Sequence, residues 1–311
     1  MKIAITGATG LLGSHLANYY AEQGNDVYIL LKDEFYKVQL RSNINKIYGN
    51  INIKSDVDYF VQKSLPDYFI HLAAQTQAYD SLKYPYNTFY TNIVGTLNVL
   101  ESLREFSQCR SIIVASSDKA YGELKSDEYF EDHNLGGVYP YDASKAATDL
   151  LCKSYRQTYN MPIITTRACN MYGIGDNNKE RLIPGVIRAF AENSTFKLRN
   201  SGQDVREYIH VKDVVSAYDK ILKFNEIDSS VESFNISSGE RYSTIEVFNM
   251  IQKHVGSDIK NIVINNKSLE IKKQFMNSSL LKEKTGWNPQ YYLKSSLQEI
   301  VDWYLEGLAN S

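Results

Sequence analysis

The chain has 311 residues, of which 34 are Lys or Arg and 36 are Asp or Glu, so its formal net charge is −2 at pH 7. This balance gives no strongly basic surface, and we expect no nucleic-acid partner. No apolar run approaches the roughly 20 residues that span a membrane, and a strand is predicted from the second residue, so we expect neither a membrane anchor nor a signal peptide. Three scattered cysteines and five dispersed histidines lack disulfide or metal-ligand spacing, which predicts a cytoplasmic protein without a metal site.

Strands and helices alternate through the first half of the chain. Apolar runs predict strands at residues 2–6, 26–31, 50–53, 68–72, 111–115 and 161–167. Helical periodicity predicts helices at residues 12–23, 56–63, 85–106 and 141–159. This alternation is typical of an α/β fold in which a doubly wound parallel sheet carries helices on both faces.

The alternation weakens after about residue 170. Loops rich in Gly, Asn and Pro at 173–184 and 200–204 separate shorter elements, with helices predicted at 184–192, 244–255 and 293–308. We therefore predict a first domain of residues 1–170 and a smaller C-terminal α/β substrate lobe of residues 171–207 and 236–311. A strand-and-helix pattern starting at residue 208 predicts that residues 208–235 return to the first domain.

Three glycines, Gly7, Gly10 and Gly13, lie between the first predicted strand and the first predicted helix. Small residues at this turn let backbone amides approach a pyrophosphate at the positive end of the helix. An ordinary glycine-rich turn is the alternative, but the position favours dinucleotide binding. Asp33, at the end of the second strand, is placed to bond the ribose hydroxyls of NAD, while Lys32 beside it leaves NADP as an alternative.

Tyr141 and Lys145 lie four residues apart, on one face of a predicted helix. A nearby ammonium lowers the pKa of a phenol, and such a tyrosine can remove a hydroxyl proton while hydride passes to a nicotinamide. The chain contains six Tyr-x-x-x-Lys pairs, so the pattern alone carries little weight. The position of this pair selects it, because its helix follows the strand at 111–115 and can face the carboxyl ends of the strands, where ligands bind in such sheets.

The strand at 111–115 leads into Ser117-Asp118-Lys119, a hydroxyl, a carboxylate and an amine in succession. A polar loop at a strand end is the alternative to a catalytic group. The order of seven motifs favours the catalytic interpretation. They are GATGLLG at 7–13, HLAAQ at 71–75, TNIVGT at 91–96, SSDKAYG at 116–122, YDASK at 141–145, RACNMYG at 167–173 and REYIHV at 206–211.

With these motifs the chain resembles the extended short-chain dehydrogenases/reductases of the NAD-dependent epimerase/dehydratase family. The resemblance implies a Rossmann-type NAD-binding domain at residues 1–170, a nucleotide-sugar substrate and a homodimer formed through the helix of the Tyr-Lys pair. Asp-Lys after Ser117, together with Gln75, is similar to the CDP-glucose-like nucleotide-sugar 4,6-dehydratases, which are lyases of deoxysugar and polysaccharide biosynthesis. Epimerases of the family generally lack an acid-base pair there.

The resemblance implies a role for each catalytic residue. Tyr141, held as phenolate by Lys145, takes the C4 hydroxyl proton, and Ser117 hydrogen-bonds the same oxygen. Lys119, as a neutral amine, removes the C5 proton or only stabilises the enolate, and Asp118 protonates the C6 hydroxyl. The alternatives are a nucleotide-sugar 4-epimerase, which needs neither Asp118 nor Lys119, and a non-catalytic dinucleotide sensor. The nucleotide base and the sugar stay open.

The resemblance also implies the binding residues. Asn170 and Arg206 would hold the substrate diphosphate, for which a guanidinium is suited, although a surface cation is the alternative for Arg206. Asn92 would be structural, bonding buried backbone between helices. The remaining substrate-binding residues are predicted to be Gln75 and Arg181. The residues predicted to bind the cofactor are Gly7, Gly10, Leu11, Leu12, Gly13, Lys32, Asp33, Asp56, Val57, Leu72, Ala73, Ala74, Tyr141 and Lys145.

Overall fold

The computed structural model describes residues 1–33, 38–126, 128–176, 178–199, 202–256, 261–264 and 274–309. The strands in these ranges are β1 (Lys2–Thr6), β2 (Asp26–Leu31), β3 (Asn45–Tyr48), β4 (Tyr68–His71), β5 (Ser111–Ala115), β6 (Ile163–Ala168), β7 (Asn170–Tyr172), β8 (Phe196–Arg199), β9 (Val205–His210), β10 (Ser233–Ile236), β11 (Arg241–Ser243) and β12 (Asn261–Ile264). The α-helices are α1 (Leu11–Glu22), α2 (Lys54–Ser64), α3 (Ala78–Lys83), α4 (Pro85–Phe89), α5 (Gly95–Phe106), α6 (Pro140–Tyr159), α7 (Leu182–Ala191), α8 (Val211–Ile227), α9 (Thr244–Val255), α10 (Ser279–Thr285) and α11 (Leu293–Ala309).

Seven parallel strands form the central sheet, in the order β10-β6-β5-β4-β1-β2-β3. The chain runs outward from β1 through β2 to β3 and then returns to the other side of β1 as β4. The strand order therefore reverses between β1 and β4, and ligands bind at the carboxyl ends of strands at such a point. This architecture confirms the predicted Rossmann-type doubly wound α/β fold.

Helices cover both faces of the sheet, and successive residues of a strand point to these opposite faces. Ile3 and Ile5 of β1 lie in a buried cluster with residues of α1 and α8, whereas Ala4 between them lies in a second cluster with residues of α2, α5 and α6. Strands buried on both faces have nearly continuous apolar sequences, which explains why β4 and β5 were recognisable. Each fully buried Ile or Leu side chain contributes about 1.5–3 kcal/mol.

The smaller sheets lie in the later part of the chain. β9 pairs with β7 in parallel and with β11 in the antiparallel direction, and β8 pairs with β12. A third cluster of buried residues joins α7, α9 and α11, with Phe248 and Leu297 among its members. Within residues 208–235, α8 packs on the central sheet and β10 forms its edge, while β9 belongs to the three-stranded sheet. The division of the chain into the two lobes stays a prediction.

The third strand is not at residues 50–53, where the sequence analysis placed it. It is β3, which pairs with β2 at the edge of the sheet and has a mostly exposed surface. An edge strand needs no apolar run, so its sequence Asn-Lys-Ile-Tyr gave no signal. Residues 50–53 form a turn in which Ile53 caps α2 and the Asn50 amide donates a hydrogen bond of 2.9 Å to Asp56.

The predicted helix at 85–106 is divided. A π-helical segment, Tyr90–Val94, separates α4 from α5, and the short helix α3 precedes them. Single π-helical turns are frequent at functional sites, because they insert one residue that must bond elsewhere. Among the described parts of the chain, no helix is long and apolar enough to cross a membrane.

Candidate active site

The glycine loop joins β1 to α1 at the switch point of the sheet. Gly7 has a φ of +74°, which glycine adopts readily, and a Cβ placed on it would lie 2.6 Å from the backbone nitrogen of Ala73. A Cβ on Gly13 would lie 2.2 Å from the carbonyl oxygen of Gly7. Gly10 is the N-cap of α1 and has no side chain to cover the first amides of this helix. These constraints leave a backbone cradle at a positive helix end, which fits a dinucleotide pyrophosphate.

The end of β4 lies beside this cradle. The Leu72 amide donates to the Thr6 carbonyl at 3.2 Å, and the Ala73 amide donates to Thr6 Oγ1 at 3.3 Å. Thr6 Oγ1 also contacts His71 Nδ1 at 2.7 Å. Leu72, Ala73 and Ala74 are partly exposed. These contacts place the residues predicted to lie beside the nicotinamide next to the glycine loop.

The predicted adenosine-side residues lie at the ends of β2 and β3. Lys32 and Asp33 directly follow β2, and both are exposed. Asp56 is partly buried in the first turn of α2, where one of its oxygens binds the Asn50 amide. Val57 is wholly buried in the core, and its predicted contact with the cofactor stays a prediction.

Ser117 organises the turn that follows β5. Its Oγ accepts a hydrogen bond of 3.2 Å from the Lys119 amide and donates one of 2.8 Å to Asp118 Oδ1. The turn, Asp118–Tyr121, is a 3-10 helix that ends at Gly122 with a φ of +67°. Ser117 and Asp118 are buried, whereas Lys119 is partly exposed, so the three polar groups occupy a shielded strand end.

Gln274 also belongs to this turn, although no motif marked it. Lys119 Nζ donates to Gln274 Oε1 at 2.9 Å, and Gln274 Nε2 donates to the Asp118 carbonyl. Gln274 is only 3% exposed. Its partner lies 155 residues away in the chain, and no local pattern distinguishes Gln274 from any other glutamine, so this contact could not be predicted from the sequence.

Tyr141 lies in the first turn of α6, after Pro140 at the helix start. Desolvation by the surrounding protein raises the pKa of Tyr141 to about 12, although a hydrogen bond with the Ser117 side chain and the positive charge of Arg181 oppose this rise. The net direction of this pKa is therefore upward and not downward as expected, because desolvation dominates. The effect of Lys145 on Tyr141 stays a prediction. The structure nevertheless brings Tyr141 to Ser117, as the predicted site requires.

Lys145 is held one turn further along α6. Its Nζ donates a hydrogen bond of 2.8 Å to the carbonyl of Ala115, the last residue of β5. Burial lowers the pKa of Lys145 to about 8, and the negative charge of Asp149 partly opposes this shift. Asp149 in turn forms a buried ion pair of 3.0 Å with Arg167 of β6. The pair ties α6 to the sheet and fixes the helix that carries Tyr141.

The Asn92 side chain, in the π-helical segment, bonds backbone as predicted, although that backbone is only partly buried. Its Oδ1 accepts from the Gln75 amide at 2.7 Å, and its Nδ2 donates to the Gln75 carbonyl at 3.0 Å and to Ser144 Oγ at 2.8 Å. Ser144 Oγ donates to the carbonyl of Tyr141 at 2.7 Å. Asn92 therefore connects the segment after β4 to the catalytic helix and fixes the backbone of Gln75, a predicted substrate residue.

The other predicted substrate residues come from the later part of the chain. Arg181 precedes α7 and donates a hydrogen bond of 3.1 Å to Asp176. Its positive charge acts to lower the pKa of Tyr141. Asn170 Nδ2 donates to the carbonyl of Glu207 at 3.0 Å. Arg206 is largely buried and donates to the Val205 carbonyl at 3.0 Å. Their contacts with a substrate stay predictions.

Glu207 of β9 is a buried carboxyl that the sequence analysis missed. Burial raises the pKa of Glu207 to about 7, while a hydrogen bond from the Met276 amide, 2.7 Å long, opposes the shift. The negative charge of Asp118 also raises this pKa, so Glu207 lies within electrostatic range of the turn after β5. The segment around Met276 thus connects Glu207 with Gln274.

Comparison with known proteins identifies the family. The model of the NAD dependent epimerase/dehydratase family matches residues 3–237. A trifunctional protein of Arabidopsis thaliana, named UDP-glucose 4,6-dehydratase/UDP-4-keto-6-deoxy-D-glucose 3,5-epimerase/UDP-4-keto-L-rhamnose-reductase, is 29% identical over 320 residues. The alignment covers 98% of this chain and 47% of the plant protein, so the chain spans about half the length of that relative.

Two solved structures share the fold. A UDP-glucose 4-epimerase of Thermotoga maritima, crystallised with UDP-glucose, has a TM-score of 0.91 at 24% identity over 99% of this chain and 100% of that one. A dTDP-glucose 4,6-dehydratase of Bacillus anthracis in complex with NAD has a TM-score of 0.85 at 25% identity over 99% and 98%. The chain belongs to the NAD dependent epimerase/dehydratase family, which confirms the resemblance inferred from the motifs and the predicted cofactor, NAD.

Proposed function

We propose that this protein is an NAD-dependent nucleotide-sugar 4,6-dehydratase that produces a 4-keto-6-deoxy sugar. The observation that carries the proposal is the position of Asp118 and Lys119, an acid and a base in one turn. Their neighbour Ser117 hydrogen-bonds both the Asp118 carboxylate and the Tyr141 phenol. A 4-epimerase needs Tyr141 and NAD but has no use for Asp118 and Lys119.

Tyr141 acts first in the proposed reaction. It accepts the proton of the sugar C4 hydroxyl, and Ser117 hydrogen-bonds the same oxygen. Ser117 and the charge of Arg181 both favour the phenolate and so oppose the effect of desolvation on Tyr141. Gly7, Gly10 and Gly13 would hold NAD, which would supply the oxidation of C4 and the later reduction of C6.

Lys119 and Asp118 carry out the elimination. A ketone at C4 makes the C5 proton acidic, because the electrons left at C5 delocalise onto the ketone oxygen. The neutral amine of Lys119 accepts that proton and becomes an ammonium. The electron pair forms the C5–C6 double bond as the C6–O bond breaks, and Asp118 gives its proton to the departing hydroxyl, which leaves as water. When C6 is reduced, the Lys119 ammonium gives a proton to C5, which completes the 4-keto-6-deoxy sugar. Positioned acids and bases of this kind contribute roughly 10²–10⁴-fold each.

The test is incubation of the purified protein with CDP-, GDP-, UDP- and dTDP-glucose in deuterated water. We expect one of them to lose the mass of one water and to gain deuterium at C5. An isomer of unchanged mass with inverted C4 would instead identify a 4-epimerase and overturn the proposal. Conversion of none of these sugars would also count against a glucose substrate.

We also infer a homodimer formed through the face of α6. Both α3 and α4 pack beside α6 and carry exposed aromatic residues, of which Tyr86 is 74% exposed. Leu150 of α6 is 61% exposed. A second copy of the chain that covers these side chains would remove apolar surface from water, which favours association. Sedimentation equilibrium should give twice the mass of the chain, and a monomer would refute the inference.

A further inference from the structure

The segment 274–278 is fixed to three other parts of the molecule by hydrogen bonds of its backbone and of the Ser278 side chain. The Tyr129 amide donates to the Phe275 carbonyl at 2.8 Å, and the Asn277 amide donates to the Tyr129 carbonyl at 2.9 Å. The Met276 amide binds Glu207 of β9. Beyond β10, the Ser237 amide donates to Ser278 Oγ at 2.8 Å. The start of this segment, Gln274, is therefore held in place independently of its own side chain.

The Gln274 amide uses both of its ends on the catalytic turn. The carbonyl oxygen accepts from Lys119 Nζ, and the amino group donates to the Asp118 carbonyl oxygen. If the amide were turned over, its amino group would face the Lys119 amine and its oxygen would face the Asp118 carbonyl oxygen. The two partners therefore determine the orientation of the amide. The side chain thus bridges the backbone of the acid and the head of the base.

We propose that Gln274 is the positioning residue that aligns Lys119 with Asp118 for the elimination step. This inference rests on the proposed dehydratase function. An amide is neutral, so it directs the Lys119 head group without adding a negative charge that would retain its proton. A carboxylate of the same size would hold Lys119 as an ammonium, which cannot accept the C5 proton. An amide at position 274 therefore suits a Lys119 that acts as a base, and it does not suit a Lys119 that stays permanently charged.

Other charged and titratable groups surround the catalytic turn. Tyr141 and Asp142 approach from α6, Arg181 from the start of α7, Glu207 from β9 and Tyr129 from the loop bonded to the segment 274–278. All of these groups are common to the variants at position 274, so a difference between those variants reports on the change at residue 274.

Two variants and a control test the inference. Gln274→Glu should move the acidic limb of the kcat profile upward by about one to three pH units, because a nearby carboxylate favours the ammonium. Gln274→Met, which keeps the size but loses both hydrogen bonds, should lower kcat about tenfold to a hundredfold with little change in KM. Gln298→Met, an exposed position on α11, should match the wild type. Circular dichroism and bound NAD verify that each variant is folded.

A measurement without turnover separates this inference from the proposed function. Acetic anhydride acylates neutral amines, and mass spectrometry can follow the labelling of Lys119 against pH. In Gln274→Glu the labelling midpoint should lie about one to three pH units above that of the wild type. Equal midpoints and equal kcat profiles in a wild type that dehydrates its sugar would overturn the role of Gln274 alone. A wild type that only epimerises its sugar would overturn the proposed function, and the role of Gln274 in elimination with it, even if the labelling differs.

Discussion

The ammonium of Lys145 donates a hydrogen bond of 2.8 Å to the carbonyl of Ala115, which ties α6, the helix of Tyr141, to the last residue of β5. The two residues are 30 apart in the chain, and Lys145 is only 5% exposed. Burial without a carboxylate in direct contact explains why the pKa of Lys145 falls to about 8 from 10.5. The protein therefore holds this ammonium at a cost in stability.

That cost predicts a specific pH dependence of stability. Between pH 8 and 10.5 the unfolded chain binds the lysine proton and the folded chain has lost it, so the free energy of unfolding rises with pH. Relative to Lys145→Met, the wild type should gain roughly 3 kcal/mol across this range, since one pKa unit corresponds to about 1.4 kcal/mol. Urea denaturation at several pH values measures the difference.

The control is Lys153→Met, which removes a lysine from the same helix at a side chain that is 54% exposed. Parallel pH curves for the wild type and Lys145→Met would show that burial of Lys145 has no such cost.

Gly7 and Gly24 provide a matched test of the glycine cradle. Both have a positive φ, of +74° and +75°, but a Cβ would meet the Ala73 backbone at Gly7 and nothing within 4 Å at Gly24. Gly24→Ala should cost only the conformational strain, about 1–2 kcal/mol, and keep its NAD. Gly7→Ala should cost more, because the backbone of the β4 end must move, and should lose bound NAD. The NAD released on denaturation measures this, and full NAD occupancy in Gly7→Ala would contradict the assigned cradle.

Asn92 should contribute more to stability than its position on a helix suggests. Asn92→Ala leaves the partly buried amide and carbonyl of Gln75 and the buried Ser144 hydroxyl without this partner, and each such group costs up to about 1–3 kcal/mol. Asn98→Ala on α5 removes a single hydrogen bond, to the Ile51 carbonyl, and should cost about 1 kcal/mol. Thermal unfolding of both variants compares them, and equal losses would refute the bridging role of Asn92.

The sequence predicted the parts of this fold that depend on residues close together in the chain. The glycine loop follows a buried strand directly, and Tyr141 begins a helix after β5, so position along the chain was enough. β3 gave no signal because an exposed edge strand needs no apolar face. The π-helical segment contains Asn92, whose side chain bonds the backbone of Gln75, a contact that periodicity cannot reveal. Gln274 and Glu207 reach the site only through tertiary contacts.

The catalytic pair illustrates the same limit. The order Ser117-Asp118-Lys119 after a strand was enough to predict three polar groups at the carboxyl edge of the sheet. It could not indicate that Ser117 bonds the Asp118 carboxylate or that Gln274 binds Lys119, because both depend on side-chain geometry. The direction of the Tyr141 pKa was mispredicted for the same reason: desolvation depends on the packed environment and not on the neighbouring lysine in the sequence.

The Asp118→Asn variant tests the central claim most directly. An amide has no acidic proton to give to the C6 hydroxyl, whereas oxidation at C4 relies on Tyr141 and Ser117. With the sugar that the wild type dehydrates, we expect the absorbance of reduced nicotinamide to appear and no 4-keto-6-deoxy product to form. Formation of that product at the wild-type rate would contradict the account, because the elimination would then proceed without the acid that defines the proposed site.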